Sequence, residues 1–185
     1  MTAYNRKRLG TACMGAWLLA MVSACTTSAS ADVQSCQPRQ LELSLDGGGG
    51  DFNGMSHGGT YVVLRNRGTT ACRVPARPDL SFLDAHEAPL RASLQPIRGM
   101  HPGPVLLPVE IPAQARVRAS LRWVTGEVFD DTQCIDPVFL KIGVGEGALT
   151  TRFRGHLCGS RAEGPLYQWA PFQPLDVNPS THQPD

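Results

Sequence analysis

The chain has 185 residues, of which 42% are hydrophobic and 18% charged, with a formal net charge of +1. That is enough apolar material for one sizeable core, and it excludes a disordered chain, a multi-domain machine and a strongly basic nucleic-acid-binding surface. With 6% aromatic residues, 19 glycines and 15 prolines, the composition fits a punctuated, loop-rich, all-β chain.

Residues 1–24 read as an address. Arg6, Lys7 and Arg8 precede an apolar run from Leu9 to Ala24 broken only by Gly, Thr and Ser. These are the charged and hydrophobic regions of a secretory signal, too short for a comfortable membrane span. The run closes on Val22-Ser23-Ala24-Cys25, which resembles the lipobox of bacterial lipoproteins, and the resemblance implies that Cys25 becomes the acylated mature N-terminus. Ala29-Ser30-Ala31 is a competing, ordinary signal-peptidase site. Loss of Arg6, Lys7 and Arg8 takes the net charge from +1 to −2. The expected organisation is a signal peptide (1–24), a lipidated flexible tether (25–35), small and polar, a β-sandwich domain (36–175) and a disordered tail (176–185).

Within the domain, Leu41-Glu42-Leu43-Ser44-Leu45 alternates as a half-buried strand. Thr60 to Asn66 is a second strand, preceded by a long glycine-rich loop from Asp46 to Gly59. Cys72-Arg73-Val74 leads through prolines to Leu80-Ser81-Phe82-Leu83, and Asp84 to Glu87 forms a turn. The strictest alternation runs from Ala113 to Trp123, with Arg116, Arg118, Ser120 and Arg122 on the outer face. Val138 to Val144 and Leu149 to Phe153 form a hairpin turning at Gly143 to Gly147, and a final strand spans Leu166 to Leu175. Seven or eight strands without an amphipathic helix indicate an antiparallel β-sandwich.

Cys13 departs with the signal and Cys25 is assigned to lipid, which leaves Cys36, Cys72, Cys134 and Cys158 for two disulfides. No Cys-x-x-Cys spacing points to zinc. In the hairpin at Gly143 to Gly147, matching the inward faces requires opposed residue numbers to sum to an odd value near 292, such as 291 or 293. Cys134 and Cys158 sum to 292, within one residue of opposition. Antiparallel pairing of the first two strands brings Cys36 near the exit of the second, a turn before Cys72. The expected bridges are Cys36 with Cys72 and Cys134 with Cys158.

Cys36, Leu41 to Leu45, Gly58 to Val63, Asn66-Arg67-Gly68 and Cys72 follow in order. Ala76-Arg77-Pro78-Asp79, Leu80 to Leu83, Asp84, Leu107-Pro108, the run from Ala113 and Trp123 come next, before the last two cysteines. This series resembles the secreted and lipoprotein domains of bacteria grouped only as a domain of unknown function, over about residues 36 to 175. The resemblance implies an immunoglobulin-like sandwich and an envelope location, and carries no catalytic residue. Two departures concern turns: both glycines of the Gly-Tyr-Pro-Gly motif and the glycine after Pro108 are missing, which predicts altered or strained turns.

Candidate functional residues are sparse. Phe52 and Met55, apolar residues in the glycine-rich loop, are the candidate partner-contact surface, against the competing expectation that they tuck back onto the edge of the sandwich. Met55 and His57 with Met100 and His101 supply thioether and imidazole ligands suited to copper, so a periplasmic copper carrier is the alternative to a binding module. Gly47 to Gly50 with Asp51 lacks the second copy or closing glutamate of a calcium loop. Arg116, Arg118, Arg122, Lys141, Arg152 and Arg154 read as a solvated outer face, with an anionic-ligand surface as the alternative. No Gly-x-Ser-x-Gly elbow occurs, Ser56 beside His57 makes no triad, and Asp130-Asp131 reads as solvated. The chain therefore reads as a non-enzymatic, envelope-anchored module without a cofactor. Its expected contacts are the membrane, through the lipid, and a protein or envelope polymer, and nucleic acid is excluded.

Overall fold

The computed structural model describes residues 32–95 and 105–175. Alternating apolar residues there build β1 (Leu41–Asp46), β2 (His57–Asn66), β3 (Cys72–Val74), β4 (Leu80–Leu83), β5 (Pro89–Leu90), β6 (Ser93–Leu94) and β7 (Val109–Ile111). They continue with β8 (Arg116–Val124), β9 (Thr132–Ile135), β10 (Phe139–Val144), β11 (Gly147–Arg152), β12 (Leu157–Ser160), β13 (Leu166–Trp169) and β14 (Gln173–Pro174). The helical content among the described residues is two single 3₁₀ turns, Pro38–Gln40 and Gly48–Gly50. One sheet has the order β1-β2-β8-β13-β6, with β14 also on β8, and a second has the order β11-β10-β4-β5. The ladders β9·β12 and β3·β7 complete a β-sandwich.

More strands are present than the seven or eight expected, because β5, β6 and β14 have two residues each, too few to show alternation. One pair is parallel rather than antiparallel, β13 with β6 through Leu166↔Ser93 and Tyr167↔Leu94. The long alternating strand starts at Arg116 instead of Ala113: the Ala115 amide donates to the Pro112 carbonyl and Gln114 takes a φ of 63°, so Ala113 and Gln114 belong to a turn. β2 starts at His57, three residues early. The expected final strand divides into β13 and β14, and the division has a structural cause. Trp169 faces Leu121, whereas Gln173 faces Arg118, so four steps on one strand match three on β8. This bulge lets Trp169 and Phe172 point inward together, and both are buried, where uninterrupted alternation would turn Phe172 to solvent.

Inward residues of both sheets meet in one cluster that includes Leu64, Phe82, Leu121, Leu140 and Ile142. Aromatic rings cross it from sheet to sheet: Trp123 on Phe153 at 5.1 Å, Phe153 on Phe82 at 5.4 Å, and Phe82 on Tyr167 at 5.3 Å. The hairpin of β10 and β11 pairs Phe139 with Arg152 and Val144 with Gly147, so opposed numbers sum to 291, one of the two odd values expected. Both expected disulfides are present, Cys36–Cys72 and Cys134–Cys158. The second joins directly opposed residues of β9 and β12, so the one-residue slip is absorbed between the two ladders. At the start of the domain the chain is fixed before Cys36. The Arg73 amide donates to the Gln34 carbonyl and Ser35 bridges Arg73, which ties residues 34 and 35 to β3. The missing family glycines cost no left-handed strain, because Glu87 and Gln114 are the non-glycine residues with positive φ among those described.

Asn66 shows why the Asn-x-Gly motif matters. Its side chain is fully buried; its Nδ2 donates to the Thr70 and Ile111 carbonyls at 2.8 and 3.0 Å, and its Oδ1 accepts from the Gly68 amide at 2.8 Å. One amide thereby satisfies three backbone groups at the end of β2. Replacement by leucine orphans all three, at about 1 kcal/mol each. Asn66→Leu is expected to lower the urea unfolding free energy by roughly 3 kcal/mol without altering the slope of the transition.

Candidate functional site

The glycine-rich loop after β1 folds back on its own sheet. Asp46 Oδ1 accepts from the Gly48 amide at 2.9 Å, and the following turn needs glycine: Gly48, Gly49 and Gly50 have φ values of 66°, 59° and 116°. The turn drops Phe52 onto β2, where its ring packs edge-on against Tyr61 with centroids 4.8 Å apart and covers Gly59, at which any Cβ would collide with it. Phe52 is only 7% exposed. It is therefore a structural cover, as the tucked-back expectation had it and not as a free contact residue, because Gly59 leaves room for it on the outer face of β2. Met55 is fully exposed and remains the one loop residue of that pair open to a partner. The tyrosine hydroxyl of Tyr61 donates to Asp51 Oδ2 at 2.9 Å, which commits the aspartate of the glycine-aspartate segment to the fold.

The sheet register places four arginines on one outer face. Arg65 on β2 sits opposite Arg116 on β8, and Arg118 and Arg122 follow along β8, all four exposed. The guanidinium of Arg118 lies 4.3 Å from the centre of the Tyr61 ring and that of Arg122 lies 5.5 Å from the centre of Phe52, both in cation–π range. Arg65 donates to Gln114 Oε1 at 3.4 Å. Among the described residues neither Arg118 nor Arg122 has a carboxylate partner. The nearby acids are occupied elsewhere, Glu42 by Arg67 at 2.7 Å and Asp51 by Tyr61. Tyr61 is held above its ordinary value of 10.0, first by the hydrogen bond to Asp51, then by burial and by the Asp51 charge, while Arg118 and Arg122 pull the other way.

The expected basic surface divides in two, because Lys141 and Arg152 belong to the second sheet, on β10 and β11. Arg152 and Arg154 border a shallow cavity of about 580 Å³ with Phe153, Gly155, His156 and Asp136. His156 Nδ1 meets Asp136 Oδ1 at 2.7 Å, and the Sγ atoms of Cys134 and Cys158 lie within 4.8 Å of the His156 ring nitrogen. Joined as a disulfide, those sulfurs offer no thiolate to a metal. Sequence reasoning missed this histidine–aspartate pair, although Asp136 and His156 obey the same numerical register as the bridge. It also missed Arg65 and the ring beneath Arg118, for which the pairing of β2 with β8 was needed.

Met55 and His57 are both exposed, and the Ser56 hydroxyl contacts His57 Nδ1 at 3.3 Å with no third group among the described residues. Met100 and His101 lie outside the described residues, as does Cys25, so the four-residue copper set is not assembled by anything described.

A family model described as a domain of unknown function, DUF4232, matches residues 36–166. The chain belongs to this family. The matched segment runs from Cys36 to Leu166 and so includes both disulfides, Asn66 and all of β8. No curated protein and no solved structure matches the chain.

Two outcomes are expected at this face. Phe52→Ala uncovers Gly59 and the Tyr61 ring and is expected to cost about 2 kcal/mol in chemical denaturation, at or below the lower range for buried phenylalanines because Phe52 caps the outer face of β2 and is not part of the central core cluster. In a spectrophotometric titration Tyr61 is expected to ionise above 10, and Asp51→Asn to bring it down. Because the folded value is raised, the stability tied to this hydroxyl is present below pH 10 and lost as the pH rises through the folded value.

Proposed function

We propose that this protein is an envelope-anchored, non-enzymatic module that binds a partner through the outer face of β2 and β8. The single observation that carries the reading is the pair Arg118 and Arg122, exposed, placed over aromatic rings and without carboxylate partners among the described residues. A cation kept uncompensated on a folded surface costs self-repulsion, and a bound anion relieves it. Two features support the compartment: the lipobox-like Val22-Ser23-Ala24-Cys25 after an apolar run, and two disulfides, which persist in oxidising, extracytoplasmic surroundings. Acylation at Cys25 with a second or third chain gives stable membrane retention where one chain is reversible.

Cys25→Ser is expected to shift the protein from the membrane to the soluble fraction and to remove the lipid mass from the mature N-terminus. Unchanged fractionation and mass point instead to cleavage after Ala31. Cross-linking in intact envelopes is expected to give a discrete adduct with the native protein that Arg118→Gln/Arg122→Gln abolishes. An adduct pattern indifferent to both substitutions removes the sheet face as the binding surface.

A further inference from the structure

We infer that the outer face of β8 is a track for a linear, carboxylate-bearing polysaccharide. The inference rests on the binding-module reading and gives that module its ligand class. Arg118 and Arg122 stand on the same face of one strand, so their side chains leave the backbone about 13 Å apart along a straight line. Each guanidinium is placed by a ring, Arg118 by Tyr61 and Arg122 by Phe52, and each ring is itself fixed by the folded-back loop, through Asp51 on Tyr61 and Gly59 under Phe52. Side-chain freedom is thus partly lost before a ligand arrives, which lowers the entropy cost of binding. The guanidinium edge presents planar, forked donors matched to a carboxylate. Arg65 extends the positive end of the line with a neutral partner, Gln114.

The other groups on this face distinguish a single chain from a flat anionic surface. Between the two arginines lies Ser120, opposite Tyr61, and beside Arg118 lies Gln173, neutral groups that exchange hydrogen bonds with sugar hydroxyls. Glu42, opposite Arg65, and Asp46, opposite Tyr61, lie on β1 on the same side of the sheet, two strands from β8 and therefore about 10 Å from it. An anionic membrane lying on the whole face meets those carboxylates together with the arginines. One chain running along β8 meets the arginines and stays clear of the β1 carboxylates, and the one acid beside Arg118, Asp51, already accepts the Tyr61 hydroxyl.

The test uses the full-length protein in neutral detergent with labelled polygalacturonate as the probe. Binding is expected in about 50 mM salt and is expected to weaken several-fold by about 200 mM. Arg118→Gln/Arg122→Gln is expected to weaken it about tenfold or more, as loss of charge-assisted hydrogen bonds does. Lys141→Gln/Arg152→Gln, on the other sheet, is expected to leave it within about twofold. Arg118→Lys/Arg122→Lys preserves charge but not the fork, and is expected to fall between the native protein and the glutamine pair. This variant keeps the assignment testable if the glutamine pair misfolds. No binding by the native protein, equal loss in the second-sheet control, or stronger binding to phosphatidylglycerol vesicles, polyglutamate or neutral dextran overturns the proposal. An envelope adduct dependent on Arg118 and Arg122 without polygalacturonate binding overturns the polysaccharide assignment and leaves the binding-module reading standing.

Discussion

The pairing of β8 along both of its edges is the constraint on which the rest of the molecule depends. β2 binds one edge over nine residue pairs from His57↔Val124 to Arg65↔Arg116, and β13 and β14 share the other. A strand held on both sides cannot slip by one residue without exchanging its faces. Its two-residue period therefore sets two properties at once. Val117, Ala119, Leu121 and Trp123 are committed to the core, and Arg116, Arg118 and Arg122 are committed to solvent. The packing that stabilises the sandwich and the charge that faces outward are two readings of one alternation.

What covers the outer face is set by glycines instead of by large side chains. A strand containing Gly58 and Gly59 loses conformational freedom on folding and gains no side-chain packing of its own. Here the vacancy at Gly59 is filled from outside by Phe52, carried in by a loop whose three consecutive glycines adopt positive φ. The loop and the strand are thus one unit, in which backbone freedom in one place supplies packing in another. The cation–π placement of Arg122 exists only because that unit closes.

Much of the sandwich was legible in the sequence where alternation runs for six or more residues. β1, β8 and the β10–β11 hairpin have the expected faces, and the register arithmetic of that hairpin led to Cys134–Cys158. Short ladders were not legible, because two or three residues such as Ser93-Leu94 or Val109-Glu110-Ile111 carry no period. His57 to Gly59 looked like loop because glycine signals turns more often than strands, and only the Phe52 ring explains it. The bulge between Trp169 and Phe172 was hidden for a similar reason: an inward residue three positions after another contradicts a strand pattern unless an extra residue is inserted. Of the candidate site, the outward arginines of β8 were visible and their partition was not. Period-2 patterning separates inside from outside but does not say which sheet a strand joins, so Lys141 and Arg152 were grouped with residues that belong to the other sheet.

The disulfides and the central pairing also act on different lengths of chain. Cys36–Cys72 closes 36 residues around β1 and β2, and Cys134–Cys158 closes 24 around the β10–β11 hairpin. Leu64 and Val117, partners in the ladder between β2 and β8, lie in neither loop together. Each staple can form within a locally folded hairpin, whereas docking β2 on β8 must first close a loop of about fifty residues, a cost in entropy that topology imposes before any packing rewards it. Neither disulfide shortens the span between β2 and β8, so the bridges and the central ladder restrain separate parts of the unfolded chain, and the longest closure is left to the packing of β8.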